Sequence, residues 1–419
     1  MPSQQLSHRH LLKYVAAQFA PWAQLDAIIV PNGRPPAYLD QAIEAAKRLG
    51  AHLLLLCSLR ANVEHAASRA ARAGVEVVAL DIGKVPDNII PRFATDQLLR
   101  HSRFHRNVDT SRKRNLGLLI AALAGWKRIL FFDDDILLPE VDNLRAAAGL
   151  LEKSSVVGLA NAGMPDNSVV CHALRAIGAA QDTFIGGGAM VVGESAFGSF
   201  FPNIYNEDWF FLLDGRRLRP SAVTGTALQY DYDPFRDPRR ARGEELGDTL
   251  AEGVYGLLDN GYGLVDADDA YWTEFLGERR RIISTTIGQV AASRIEPGQK
   301  RRMIAALKAS IGRSHLIRPE LCVQYMQAWQ ADTVLWRRLI SKAIRRESLG
   351  LDDALVTLGI DHLVHRGVES GITLSEKLRS DEFRPFARAA PAPVASPERD
   401  RIRLLTGPGR QARSSARSR

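Results

Sequence analysis

The sequence predicts an α/β fold with a doubly wound, mostly parallel sheet, then a C-terminal helical extension and a disordered basic tail. Three observations carry this expectation. Short apolar β-like runs alternate with helix-patterned segments at the spacing of βαβ units. Those runs stop after Asp266, beyond which the apolar residues recur with a helical period. From position 389 the chain is rich in Ala, Pro, Ser and Arg with few apolar anchors, a composition that cannot bury a core.

Taken in order, residues 6–20 read as a short amphipathic helix ended by Pro21. An apolar run at 27–30 breaks at Pro31-Asn32-Gly33-Arg34-Pro35-Pro36, which is turn chemistry. A helix over 38–49, a strand at 52–57, a helix over 62–73 and a strand at 75–80 follow. The right-handed crossover rule places such helices on both sheet faces. Residues 82–108 are less regular. A helix from about 116 leads, after Gly125, to a strand at 129–132, then a helix over 141–153 and a strand at 156–160. Three glycines precede a β-like run ending at 192, and a further strand spans 222–230. An arginine-rich loop at 231–243 leads to a helix over 244–259, and helical patterning runs from 271 to about 384. The expected units are an N-terminal helical arm (1–24), an α/β domain (25–266), a helical region (267–388) and the tail (389–419).

Composition narrows the classes. With 46% hydrophobic and 24% charged residues the chain can bury a sizeable core. Of the net charge of +8, the stretch from Pro391 onward carries +5, so the basic character belongs largely to the tail and gives no case for a nucleic-acid partner. Cys57, Cys171 and Cys322 lie far apart without CxxC spacing, which argues against a zinc site or a disulfide framework. No apolar run approaches the roughly 20 residues of a membrane span. A cytoplasmic protein is expected.

The chemistry centres on the strand at 129–132, which ends in Asp133, Asp134 and Asp135. If the backbone stays extended there, Asp133 and Asp135 share one side and Asp134 points away. Ligands of open α/β sheets bind outside the carboxyl ends of the strands. Clustered carboxylates repel unless a cation or ligand hydroxyls compensate them, and hard oxygen donors suit Mg²⁺ or Mn²⁺ bridging to substrate phosphates. A metal–diphosphate site is the reading, because three adjacent acids exceed what capping the next helix requires. Arg112, Lys113 and Arg114 are candidates for neutralising the diphosphate, with Asn115 beside them. Gly186, Gly187 and Gly188 either admit close approach of backbone to a ligand or form a tight turn. Glu207 and Asp208 are an acidic pair in an aromatic context, and burial there raises a carboxylate's pKa, which suits a base. Arg239, Arg240 and Arg242 fit an exposed loop or one that closes over a ligand.

In this order the strand–turn, the Arg-Asn-x-Gly helix, FFDDDI, the glycine run and Asn-Glu-Asp-Trp resemble a nucleotide-sugar glycosyltransferase of the GT-A fold, nearest the family 2-like group. The resemblance covers roughly residues 25–265. It implies a Rossmann-like GT-A domain with Asp135 as the metal ligand, joined by Asp133, which also contacts the nucleotide sugar together with Asp134. It implies Asp208 as the general base, beside Glu207, and Pro31, Asn32, Arg112, Arg114, Gly187 and Gly188 around a UDP- or GDP-sugar donor. By the same resemblance, transfer to an acceptor hydroxyl would invert the anomeric configuration. The sequence departs from family 2 after the second strand, where Cys57-Ser58 replace an acidic pair and only Asp81 could substitute.

Competing classes fit less well. A haloacid dehalogenase-type phosphatase wants Thr or Val where this chain has Leu137. A sugar nucleotidyltransferase usually has a glycine-rich basic loop after its first strand, and residues 31–36 supply only Gly33 and Arg34. A non-catalytic sugar-binding protein would not need both acidic elements intact.

Overall fold

The computed structural model describes residues 8–164, 168–179, 184–344 and 349–366, so the expected tail and the end of the expected helical region lie outside the described residues. Ten strands form one sheet among them. They are β1 (Lys13–Tyr14), β2 (Ala27–Val30), β3 (His52–Cys57), β4 (Val77–Asp81) and β5 (Arg128–Phe132). After these come β6 (Ile136–Leu137), β7 (Val156–Ala162), β8 (Ala189–Gly193), β9 (Ser221–Gln229) and β10 (Val364–His365). The path across the sheet is β1-β9-β7-β8-β5-β2-β3-β4-β10, with β6 paired to β9 off that path. The block from β4 through β3 and β2 to β5 is parallel, whereas β8 runs antiparallel to both its neighbours.

Helices α1 (Asp40–Leu49), α2 (Val63–Arg72), α3 (Ala94–Leu99), α4 (Thr110–Ala124), α5 (Asn143–Leu150) and α6 (Val169–Ala176) alternate with the strands. Then come α7 (Glu207–Phe211), α8 (Pro238–Asp259), α9 (Asp269–Ala292), α10 (Pro297–Ser314), α11 (Pro319–Ile344) and α12 (Gly350–Thr357). The two-residue period of each strand divides its side chains between two cores. Ile29, Leu54, Val78 and Phe131 face Leu119 of α4, Leu250 of α8 and Trp329 of α11. Ile28, Leu53, Leu130 and Phe132 face Ile43 of α1, Ala66 of α2 and Leu144 of α5. The sheet is thus covered on both faces, and α8 and α11 share the core of the α/β part.

The chain order fixes where a ligand can bind. From β2 the chain moves outward through β3 to β4, then returns to β5 on the other side of β2. The carboxyl ends of β2 and β5 therefore flank the point where the winding reverses, the crevice that open α/β sheets use for ligands.

Three sequence expectations need correction. The N-terminal arm is not a helix: residues 9–11 and 17–19 are single 3-10 turns, and Lys13–Tyr14 pairs in parallel with β9. A helix this short is marginal alone, and the open edge of β9 offers the backbone better partners. The loop expected at 231–243 already belongs to α8 from Pro238, because Asp237 accepts from the Arg239 amide (2.9 Å) and proline suits the first helical position. Finally, strand structure does not end at Asp266, since β10 pairs antiparallel with β4.

Helix α8 carries a buried row of acids, three of which are met by partners from elsewhere. Glu245 accepts from Arg279 of α9 (2.7 Å), Asp248 from Asn206 (3.0 Å), and Glu252 lies 3.3 Å from His8. Burial lowers the pKa of His8, but Asp259 and Glu252 outweigh it and carry it to about 9. At Gly247 the helix backbone runs so close to Tyr205 that an added Cβ would lie 2.2 Å from the Tyr205 carbonyl oxygen. Gly247→Ala is expected to cost about 2 kcal/mol or more of stability by overpacking. Gly277→Ala, in open space on α9, is expected to gain roughly 0.5 kcal/mol from helix propensity. Denaturant unfolding of the two variants checks the pair, and equal stabilities would contradict the close approach.

Candidate active site

The turn leaving β5 carries the acidic run. It is not extended: the Ile136 amide donates to the Asp133 carbonyl (3.3 Å) before the chain enters β6. Asp134 and Asp135 consequently share Arg34, whereas Asp133 turns to Arg114. Asp134 turns to the loop after β2, accepting from the amides of Gly33 (2.9 Å) and Arg34 (3.0 Å) and pairing with the Arg34 guanidinium. Asp135 accepts from Arg34 Nη2 (3.2 Å) and Gln229 Nε2 (3.5 Å). Burial raises the Asp135 pKa, and the charge of Asp133 raises it further. The extended backbone that would put Asp133 and Asp135 on one side is therefore absent, and the two acids act on one another only through charge.

Asp133 accepts twice from Arg114 Nη2, at 2.9 and 3.0 Å, while its amide donates to the Gly188 carbonyl (2.8 Å). The other arm of the same guanidinium reaches Glu207 (2.9 Å). Arg114 is 2% exposed and lines a cavity; Nη1 and Nη2 are engaged by Glu207 and Asp133, while Nε is buried without a partner. Burial alone lowers its pKa, but Asp133, Glu207 and Asp208 raise it above the ordinary arginine value. A Cβ at Gly187 would sit 2.5 Å from Arg114 Nη1, so the middle glycine makes room for this guanidinium. Gly188 lies against Ile136, with an added Cβ only 3.0 Å away.

Asp208 lies on α7, whose start is set by Asn206 in the left-handed region at φ 60°. Its carboxylate accepts from the amides of Gly187 (2.6 Å) and Trp209 (3.0 Å). Burial pushes its pKa up to about 7, helped by Glu207 and opposed by Arg114 and the two amides. Tyr255, packed on Trp209, also feels this charge.

Arg114, Asp133, Gly187, Gly188, Glu207 and Asp208 all line one cavity of about 180 Å³. Of the opposite wall, sequence reasoning named only Arg240, within an exposed loop or one that closes over a ligand. There Arg240 stacks on Tyr232 (3.9 Å to the ring centroid) and bonds its hydroxyl (2.8 Å), with Asn161 and Gln229 adjacent. Only the i,i+4 pair of Arg240 with Glu244 (2.6 Å) was a readable signal. Arg34 was likewise missed, since its carboxylate partners lie a hundred residues along the chain.

The other predicted residues gather around the ends of β2, β3 and β4. Asn32 is fully buried, and its side chain accepts from the Arg34 amide (3.1 Å), while Pro31 begins that turn half-buried. Lys113 binds the Asn32 carbonyl (3.0 Å) and Ser58 Oγ (2.7 Å), tying the ends of β2 and β3 together. Arg112 donates to the Val85 carbonyl (2.7 Å) and pairs with Asp87 (3.0 Å) on the wall of a larger cavity of about 840 Å³. Asp81 caps its own turn through the Gly83 amide (3.0 Å).

Among the described residues no three His, Cys, Asp or Glu side chains converge to hold a metal by themselves. Mg²⁺-type cations, however, commonly use one or two carboxylates and take the rest from substrate phosphates and water. Asp135, its pKa raised by burial and by the charge of Asp133, could supply that smaller ligand set together with Asp133.

No family model and no curated protein matches the sequence. Among solved structures the chain is similar to the mannosyltransferase PcManGT from Pyrobaculum calidifontis, in complex with GDP-Man and Mn²⁺. Identity is 14% and the TM-score 0.35, over 77% of this chain and 91% of that one. At that level of similarity the chemistry has to be read from the residues of the site.

Arg114→Met strands Asp133, Glu207 and Asp208 without their shared counter-ion and is expected to cost about 3–5 kcal/mol of stability. Arg114→Lys recovers only part, because one ammonium cannot serve two carboxylates as a fork. Urea unfolding measures both, and a loss under about 1 kcal/mol for the Met variant would contradict the role given to this guanidinium.

Proposed function

We propose that the chain is a glycosyltransferase, moving a sugar from a nucleotide-sugar donor to an acceptor hydroxyl with Mn²⁺ or Mg²⁺ bound. The observation that supports this best is the meeting, in one cavity beyond the carboxyl end of β5, of Asp133 with a buried Asp208 whose pKa is raised to about 7. A buried acid tuned to neutral pH suits proton abstraction, and paired carboxylates at a strand end suit a cation and a diphosphate.

Asp133 and Asp135 would hold the cation, which when bound supplies Lewis-acid stabilisation of the departing diphosphate. Arg34, half-exposed and paired to Asp134 and Asp135, is the side chain best placed to turn towards the phosphates. The larger cavity, beside the loops that follow β3 and β4, suits the nucleoside, with Arg112 on its wall. Arg114 keeps Asp133 and Glu207 in place without touching the donor.

In the reaction, Asp208 takes the proton of the acceptor hydroxyl as that oxygen bonds to the anomeric carbon. The bond from that carbon to the diphosphate oxygen breaks, and the nucleoside diphosphate leaves with the electron pair. One such displacement inverts the anomeric configuration.

Asp208→Asn is expected to lower kcat by about 10²–10⁴-fold, the usual worth of a positioned base, while donor binding persists. The base works ionised and its pKa is raised, so kcat/KM falls on the acid side through a limb near pH 7. Donor turnover across pH, with product stereochemistry by proton NMR, tests both statements. Full activity in the Asn variant, or a product of retained configuration, would overturn the base assignment.

A further inference from the structure

A separate cavity of about 350 Å³ opens between the segment before α4, the first turns of α8 and the end of α10. Its wall carries four cations, Arg103, Arg242, Lys308 and Arg313, and no carboxylate. Among the described residues none of the four forms an ion pair with Asp or Glu, because the nearby acids are engaged elsewhere. Asp237 pairs with Arg239, Glu244 with Arg240 and Asp233 with Arg302. Asp237, half-exposed, interacts with Arg242 only through charge and without pairing to it.

Arg313 registers the imbalance. Burial lowers its pKa, and Arg242 and Arg103 lower it further, with no acid in opposition. Its Nε is buried without a partner. The side chain is nonetheless fixed, since Nη1 donates to the Arg103 carbonyl (2.8 Å) and the guanidinium lies over the Phe104 ring (5.4 Å). Like charges gathered around a concavity repel unless an anion neutralises them, and guanidinium groups match phosphate and carboxylate oxygens. Position adds to the case. Arg240 faces the catalytic cavity and Arg242, two residues on, faces this one, so the first turns of α8 bound both.

We propose that the basic cavity docks an anionic group, phosphate or carboxylate, of the acceptor whose hydroxyl is presented to Asp208. The link to the acceptor rests on the transferase reading, whereas the anion site itself does not.

The first test is calorimetric titration of the full chain, kept in EDTA so that no metal-bound donor site competes. Inorganic phosphate is the probe in one arm and succinate in the other. One of the two anions is expected to saturate a single site, and the saturating arm identifies the group. Affinity should fall by about tenfold or more in Arg242→Gln/Arg313→Gln, recover in Arg242→Lys/Arg313→Lys, and stay unchanged in Asp208→Asn. Binding of neither anion, or equal affinity in the Gln pair, overturns the site. In transfer assays the Gln pair should raise KM for an anionic acceptor by about tenfold while kcat changes by less than about twofold. Equal losses with anionic and uncharged acceptors overturn the acceptor assignment. Absence of sugar transfer by the unsubstituted protein across nucleotide-sugar donors with Mn²⁺ would sink the transferase reading instead, leaving the titration to judge the anion site.

Discussion

The site depends on one buried guanidinium shared among carboxylates. Arg114 comes from α4, Asp133 from the end of β5, and Glu207 and Asp208 from α7, so a single side chain ties together three elements brought in from distant parts of the sequence. Without it, three acids would crowd one small cavity with little solvent to screen them. With it, Asp133 and Glu207 are neutralised while Asp208, reached by Arg114 only through space and held by two backbone amides, keeps a raised pKa. The same counter-ion therefore stabilises the site and divides its acids into different roles.

Support for this arrangement extends into the helical part of the chain. Asn206, whose left-handed backbone starts α7, donates to Asp248 of α8. Asp248 lies 3.7 Å from Arg279 of α9, which also binds Glu245. Burial drives the Asp248 pKa well up, with Arg279 opposing, so the acid stays inside only because its cation and its amide partner are supplied. Asp208 is thus positioned from below by residues outside the strand-rich portion. The N-terminal arm adds His8, packed edge-on to Trp209 (5.4 Å) and paired to Glu252 and to Asp259 at the far end of α8.

Much of the fold was legible because burial writes itself into composition. The runs at 27–30 and 52–57 are continuously apolar and bounded by turn residues, and both strands fall where expected. Asp133 and Asp208 were legible because charge next to apolar residues demands a reason. Arg34 and Tyr232 were not, since their roles arise from contacts across the fold that no local pattern records, and Arg240 was read as a loop residue rather than part of a helix. Arg114 was noticed as a cation, but sequence could not reveal that its charge is consumed internally. The arm at 8–20 was misread because its partner, the edge of β9, lies some two hundred residues away. The polar look of α8 likewise concealed buried acids whose partners sit on α9 and the arm.

What remains is whether the acids at the switch point act on a pyrophosphate through a cation. The most direct measurement is equilibrium titration of the protein with UDP- and GDP-sugars in the presence and absence of Mn²⁺, repeated on Asp135→Ala. The account predicts saturable binding of one donor class that requires the metal and disappears in the variant. Donor binding that is indifferent to both metal and Asp135 would contradict it.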